Sequence, residues 1–185
     1  MKNFSRHILS AVLLGTLVSC ASGSKHSKSE LPEDTVSYWN GDEMTGKPSV
    51  VIKLGEQKAY FYKGKELAGV SKISSGREGM GTLIGSFEIV EKDEDHHSSL
   101  FGDYIDDEGV VLKKEVDTRK DPLPPGGKFD GARMPYWMRI HKGIGMHEGF
   151  LPGYPASHGC IRLPEAMAQA FFGSVEVGTP VKIEH

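Results

Sequence analysis

Apolar and polar positions alternate with a period of two along much of the chain, in short runs punctuated by glycine. Ser49–Leu54 is rich in β-branched residues. Lys58–Lys63 follows a turn around Gly55, and Gly64 turns the chain into a third run, Glu66–Ile73. Three short runs joined by tight turns predict an antiparallel meander. Gly85–Val90 predicts another strand, with Phe87 and Ile89 on one face and Ser86, Glu88 and Val90 on the other. Trp137–Ile140 and Ile144–His147 predict a pair around Lys142-Gly143, and Thr179–Ile183 a closing strand. One helix is predicted from Pro164 through EAMAQAFF, with Ala166, Ala170 and Phe171 on one face and Gly173 at its end. Residues 91–133 are rich in glycine and proline and predict long loops with one short strand, Val110–Lys113. The run Asp93-Glu94-Asp95-His96-His97 is expected to be a solvated loop.

The N-terminus follows a different pattern. Lys2 and Arg6 precede an apolar run from Ile8 to Val18 that is too short to span a bilayer comfortably. Leu17-Val18-Ser19-Cys20 resembles a bacterial lipobox, in which the cysteine is acylated and becomes the new N-terminus. The other reading is an ordinary cleaved signal with Cys20 incidental. The polar segment that follows cannot bury a core. The expected organisation is a signal peptide with lipobox over 1–20, a flexible tether over 21–48 and one catalytic domain over 49–185. Such a chain is exported and held at a membrane by its lipid anchor, facing the periplasm or cell wall. The formal net charge of −3 gives no footprint for a nucleic-acid partner.

Export implies an oxidising compartment, yet beyond Cys20 the chain has a single cysteine, Cys160. It lies in Ser157-His158-Gly159-Cys160-Ile161-Arg162, a His- and Gly-rich turn rather than an apolar run. Reactivity explains a thiol placed there better than packing does. Thiolate is the attacking form, and an unperturbed thiol of pKa ~8.5 is only a few per cent ionised at neutral pH, so a base is needed. His141, His147 and His158 are the local candidates. His147 ends a predicted strand thirteen residues before Cys160, and the intervening loop can bring the two together across its base. His158, two residues before Cys160, could also face it. Attack on a carbonyl needs preplaced donors for the oxyanion. The N–H groups of Gly159 and Cys160, with that of His158, are the natural ones, and Gly159 allows close backbone approach.

The run MHEGFLPGYPASHGCIRLP resembles the signature of the L,D-transpeptidase catalytic domain (the YkuD family), in which a histidine precedes a Ser/Thr-His-Gly-Cys block. GTLIGSFEI resembles that family's Thr-Pro-Thr-Gly-x-Phe segment, with Leu83-Ile84 where Thr-Pro is usual. GARMPYWMRI and GIGMH resemble the strand leading to its histidine, and the resemblance runs from about Ser49 to Ile183. It implies a mainly β fold, an L,D-transpeptidase-like β-sandwich or barrel with one short helix and long active-site loops. It also implies Cys160 as nucleophile, His147 as general base and acid, and His158 and Gly159 shaping the turn and oxyanion hole. Ser157, Arg162, Tyr154, Trp137 and Met146 are expected at the substrate.

The implied reaction is acyl transfer on peptidoglycan. The thiolate attacks a tetrapeptide stem, D-Ala leaves, and the thioester passes to an amine, with no metal or organic cofactor. An L,D-carboxypeptidase or another cysteine amidase or peptidase is the enzymatic alternative, and a cell-wall-binding domain the non-enzymatic one. Zinc held by His141, His147, His158 and Cys160 fits no common ligand spacing.

Overall fold

The computed structural model describes residues 34–185. The signal and lipobox readings, Cys20 and the first part of the tether lie outside the described residues. The strands are β1 (Tyr38–Trp39), β2 (Pro48–Lys53), β3 (Lys58–Lys63), β4 (Glu66–Lys72), β5 (Gly85–Glu88), β6 (Glu91–Ile105), β7 (Val111–Asp117), β8 (Lys128–His141), β9 (Ile144–Glu148), β10 (Ile161–Leu163) and β11 (Pro180–Glu184). The helix α1 (Glu165–Ser174) lies between the last two. The strands form two mixed sheets, one ordered β1-β4-β3-β2-β11-β5 and the other β10-β9-β8-β6-β7. The fold is mainly β, as the sequence pattern implied.

The period-two pattern sets the core. Val50 and Ile52, Ala59 and Phe61, and Val181 and Ile183 point inward from the first sheet. Met138, Ile140, Met146, Ile161 and Leu163 meet them from the second, with Met167, Ala168 and Phe171 of α1. Burying each large apolar side chain contributes roughly 1.5–3 kcal/mol relative to leaving it exposed.

Three expectations are corrected. First, folded structure begins well before Ser49. β1 pairs with β4 through Tyr38↔Val70 and Trp39↔Gly69. The Trp39 indole packs 5.0 Å from the Phe61 ring and 6.0 Å from Phe171. It lies over Gly69, where an added Cβ would stand 2.7 Å from the indole. Polar composition concealed this single aromatic anchor.

Second, residues 91–133 are not long loops. β6 pairs antiparallel with both β7 and β8, so the run Asp93–His97 is strand. Much of this hairpin has both faces partly in water, so it carries no alternation for the sequence to show. Third, α1 continues through Gly173 to Ser174, and Pro164 occupies its N-cap. Its buried face is Met167, Ala168 and Phe171, while Ala166 is exposed.

Candidate active site

The site follows from one parallel pairing. β10 runs alongside β9 with Ile161 opposite Met146, Arg162 opposite His147 and Leu163 opposite Glu148. Paired residues share a face, and side chains alternate along each strand. Met146, Ile161 and Leu163 are fully buried in the core. His147 and Arg162 therefore emerge on the other face, together with Cys160, two residues before Arg162. Met146, expected at the substrate, belongs to the core instead, because it neighbours His147 and must point the opposite way. The segment 149–160 is the crossover that a parallel pair requires. His147 on β9 and Cys160, the last residue before β10, thus stand at the base of this crossover loop.

Backbone and buried hydroxyls fix the cysteine turn. The Ser157 hydroxyl donates to the Cys160 carbonyl at 2.5 Å and accepts from the Gly159 N–H at 3.0 Å. The Thr82 hydroxyl donates to the Gly159 carbonyl at 2.8 Å and accepts from the Gly76 N–H at 2.9 Å. Gly159 has φ +119°, a conformation that side chains oppose. The N–H groups of Ala156 and Ser157 both donate to the Ser75 carbonyl at 3.0 Å, and Arg77 N–H donates to the Ser157 carbonyl at 3.0 Å. The Gln57 side chain holds Ser75 from behind, donating to its hydroxyl at 2.8 Å and accepting from its N–H at 3.0 Å.

Two more expectations change here. The Gly159 N–H is committed to Ser157, which leaves the N–H groups of His158 and Cys160 as candidate oxyanion donors. Tyr154 is 62% exposed and lines neither cavity at Cys160. It contributes its backbone carbonyl, which accepts from the Ser74 hydroxyl at 2.8 Å.

Burial dominates the electrostatics. His147 is 6% exposed, and burial pushes its pKa down to about 4. Its Nδ1–H donates to the Glu148 carbonyl at 2.6 Å, which leaves the Nε2 lone pair free to accept a proton. Burial pushes the Cys160 thiol up, and the Gly145 backbone and the Arg162 guanidinium offset this only in part. The resting pair is therefore neutral thiol and neutral imidazole. The thiol donates to the Gly143 carbonyl at 3.6 Å, so its proton must swing away from Gly143 to reach an imidazole. Such contacts commonly tighten only when substrate binds.

His158 is differently employed. Its Nε2 accepts from Arg77 Nη2 at 2.9 Å, and its ring stacks on Phe101 with centroids 4.1 Å apart. Burial and then the Arg77 charge lower its pKa, which keeps it neutral. Of the histidines weighed from sequence, His147 keeps a free Nε2 on the thiol's face. His141 ends β8 beside Phe87, 5.8 Å between rings, and lines neither cavity.

Cys160 and His158 lie on the wall shared by two cavities. The larger, about 410 Å³, also takes in His147, Arg162, Ser157, Phe150 and Arg133. The smaller, about 170 Å³, includes Trp137, His96, Arg139, Lys142 and Gly143. Trp137 is 2% exposed and mainly a wall, its ring 5.9 Å from that of His147. Among the described residues, no three His, Cys, Asp or Glu side chains gather so as to hold a metal ion.

Thr82, Arg77, Gln57 and the Ser74-Ser75 pair escaped the sequence reading as site residues. The signal available was the GTLIGSF motif, which contains Thr82, and the SSGR run that follows the third predicted strand.

Residues 47–183 match the family model of the L,D-transpeptidase catalytic domain, YkuD. The chain belongs to that family. A search of curated protein sequences finds no match. Among solved structures, the chain is similar to an L,D-transpeptidase from Stackebrandtia nassauensis, with 19% identity and a TM-score of 0.54 over 77% of this chain and 58% of that one. An L,D-transpeptidase from Mycobacterium smegmatis gives 19% identity and 0.56 over 75% of this chain and 59% of that one. The catalytic domain of the L,D-transpeptidase from E. faecium gives 27% identity and 0.53 over 76% of this chain and 98% of that domain. This chain thus spans under two thirds of the first two proteins.

Proposed function

We propose that this protein is a peptidoglycan L,D-transpeptidase that uses Cys160 as nucleophile and His147 as its base. The observation that carries the reading is that both side chains line one cavity of about 410 Å³, His147 from β9 and Cys160 from the turn that enters β10. That volume suits a ligand of several residues' size. Family membership supports the substrate class.

In this reading His147 Nε2 takes the thiol proton as sulfur attacks the carbonyl that precedes the terminal D-Ala of a tetrapeptide stem. The N–H groups of Cys160 and His158 meet the oxyanion. D-Ala leaves with the proton from His147, and a thioester remains on Cys160. An amine then attacks the thioester, its nitrogen loses a proton to His147, and sulfur leaves as thiolate. The Arg162 guanidinium, on the same face, suits a substrate carboxylate and favours negative charge on sulfur. Because the resting pair is neutral, proton transfer accompanies attack instead of preceding it. The N-terminal reading completes the proposal: Cys20 carries a lipid that holds the domain against a membrane, within reach of the wall.

Incubation with disaccharide tetrapeptides tests the assignment by product mass. Cross-linked dimers that have lost one D-Ala are expected. Tripeptides alone would make the protein a carboxypeptidase, and unchanged tetrapeptide would leave the binding-domain reading.

A further inference from the structure

A thioester on Cys160 would face two cavities, and the donor stem needs the larger one. The smaller has room for about six waters, enough for the end of an amine-bearing side chain but not for a second stem. Its wall carries a second histidine that the reaction described above does not use. His96 Nδ1 lies 3.1 Å from Asp93 Oδ2, and the His96 ring stacks on Trp137 with centroids 4.6 Å apart and planes 9° from parallel. A carboxylate on one nitrogen and a stacked indole on one face fix the ring's orientation. With Nδ1–H donating to Asp93, Nε2 holds the lone pair, the arrangement of a base oriented by a third group.

We infer that the smaller cavity seats the acceptor amine and that His96, oriented by Asp93, removes the proton that makes this amine an ammonium ion. The inference rests on the transpeptidase reading and extends it to the acceptor. Primary alkylamines are ammonium ions at neutral pH and have no lone pair with which to attack. His96 Nε2 takes one proton from the ammonium and becomes imidazolium beside the Asp93 carboxylate. The freed nitrogen lone pair forms a bond to the thioester carbon, the carbon–sulfur bond breaks, and its electron pair stays on sulfur as thiolate. The nitrogen's second proton goes to His147, which gives an amide.

The other charges on this wall act in the same direction. Lys142 repels an ammonium ion and favours its neutral form. Arg139 contributes less, because it is ion-paired with Glu91.

The test uses the whole protein, acylated on Cys160 by a tetrapeptide donor, with intact mass following both formation and discharge of the thioester. Two acceptors are compared: Nα-acetyl-lysine, an ammonium at neutral pH, and hydroxylamine, which is already neutral there. For His96→Gln, the ratio of discharge by Nα-acetyl-lysine to acyl-enzyme formation is expected to fall by about 100-fold, a typical worth of a positioned base. Discharge by hydroxylamine should change by less than about threefold, and Asp93→Asn should show the same selectivity with a smaller loss. Equal losses with both acceptors would mean that His96 only supports the wall, and an unchanged ratio would mean that it does nothing in transfer. Either result overturns the inference while the transpeptidase reading stands. If the wild-type protein forms no thioester at all, both fall.

Discussion

Replacing His147 by asparagine should flatten the pH dependence of stability between neutrality and mild acid. In the folded protein burial lowers this imidazole's pKa to about 4, whereas in the unfolded chain it titrates near ~6.5. Between those values the unfolded state binds the extra proton. The stabilisation is therefore complete above about pH 6.5 and is lost as pH falls toward 4. Within that window each pH unit costs about 1.4 kcal/mol, so the loss from about pH 7.5 to about pH 4.5 comes to roughly 2.5 kcal/mol. Asparagine does not titrate and keeps an N–H that can donate to the Glu148 carbonyl. Urea unfolding of both proteins at the two pH values, followed by tryptophan fluorescence, gives the double difference. His158, whose pKa is also lowered, is present in both proteins and cancels. Wild type should lose about 2–3 kcal/mol more than His147→Asn on acidification. Equal losses would mean that His147 is not held neutral by burial, and the account of a neutral resting pair would be wrong.

Two further outcomes test the scaffold and the anchor. Thr82→Val leaves the half-buried Gly76 N–H and the buried Gly159 carbonyl without partners, at about 1–3 kcal/mol each. Chemical denaturation should show a loss of roughly 2–6 kcal/mol that Thr82→Ser largely restores, and a valine variant as stable as wild type would contradict the clamp. Cys20→Ser should move the protein from the membrane fraction to the soluble one, and unchanged fractionation would refute the lipid anchor.

The legible parts of this chain were those where burial imposes a period. Lys58–Lys63 reads as a strand because Ala59 and Phe61 alternate with residues that face outward, and β3 has those bounds. The Ser-His-Gly-Cys turn was legible because its residues are chemically unusual for a core. Strand β6 and the first half of β8 were hidden because neighbouring strands, rather than a buried face, hold them in place. Gly102 and Gly131 look like loop punctuation in the sequence. In the fold a Cβ at Gly102 would collide with the Asp130 carbonyl, and one at Gly131 with the Ser98 carbonyl, so both mark close strand contact. The commitment of the Gly159 N–H to Ser157 was also invisible, because it depends on how a turn closes rather than on which residues form it.

The central claim is that sulfur at position 160 accepts an acyl group after yielding its proton to His147. It is tested most directly by mixing the protein with a tetrapeptide donor and mapping the added mass. The account predicts one acyl group, located on Cys160, absent in Cys160→Ala and formed at least about 100-fold more slowly in His147→Asn. An acyl group on another residue, or acylation of Cys160 at an undiminished rate in His147→Asn, would contradict it.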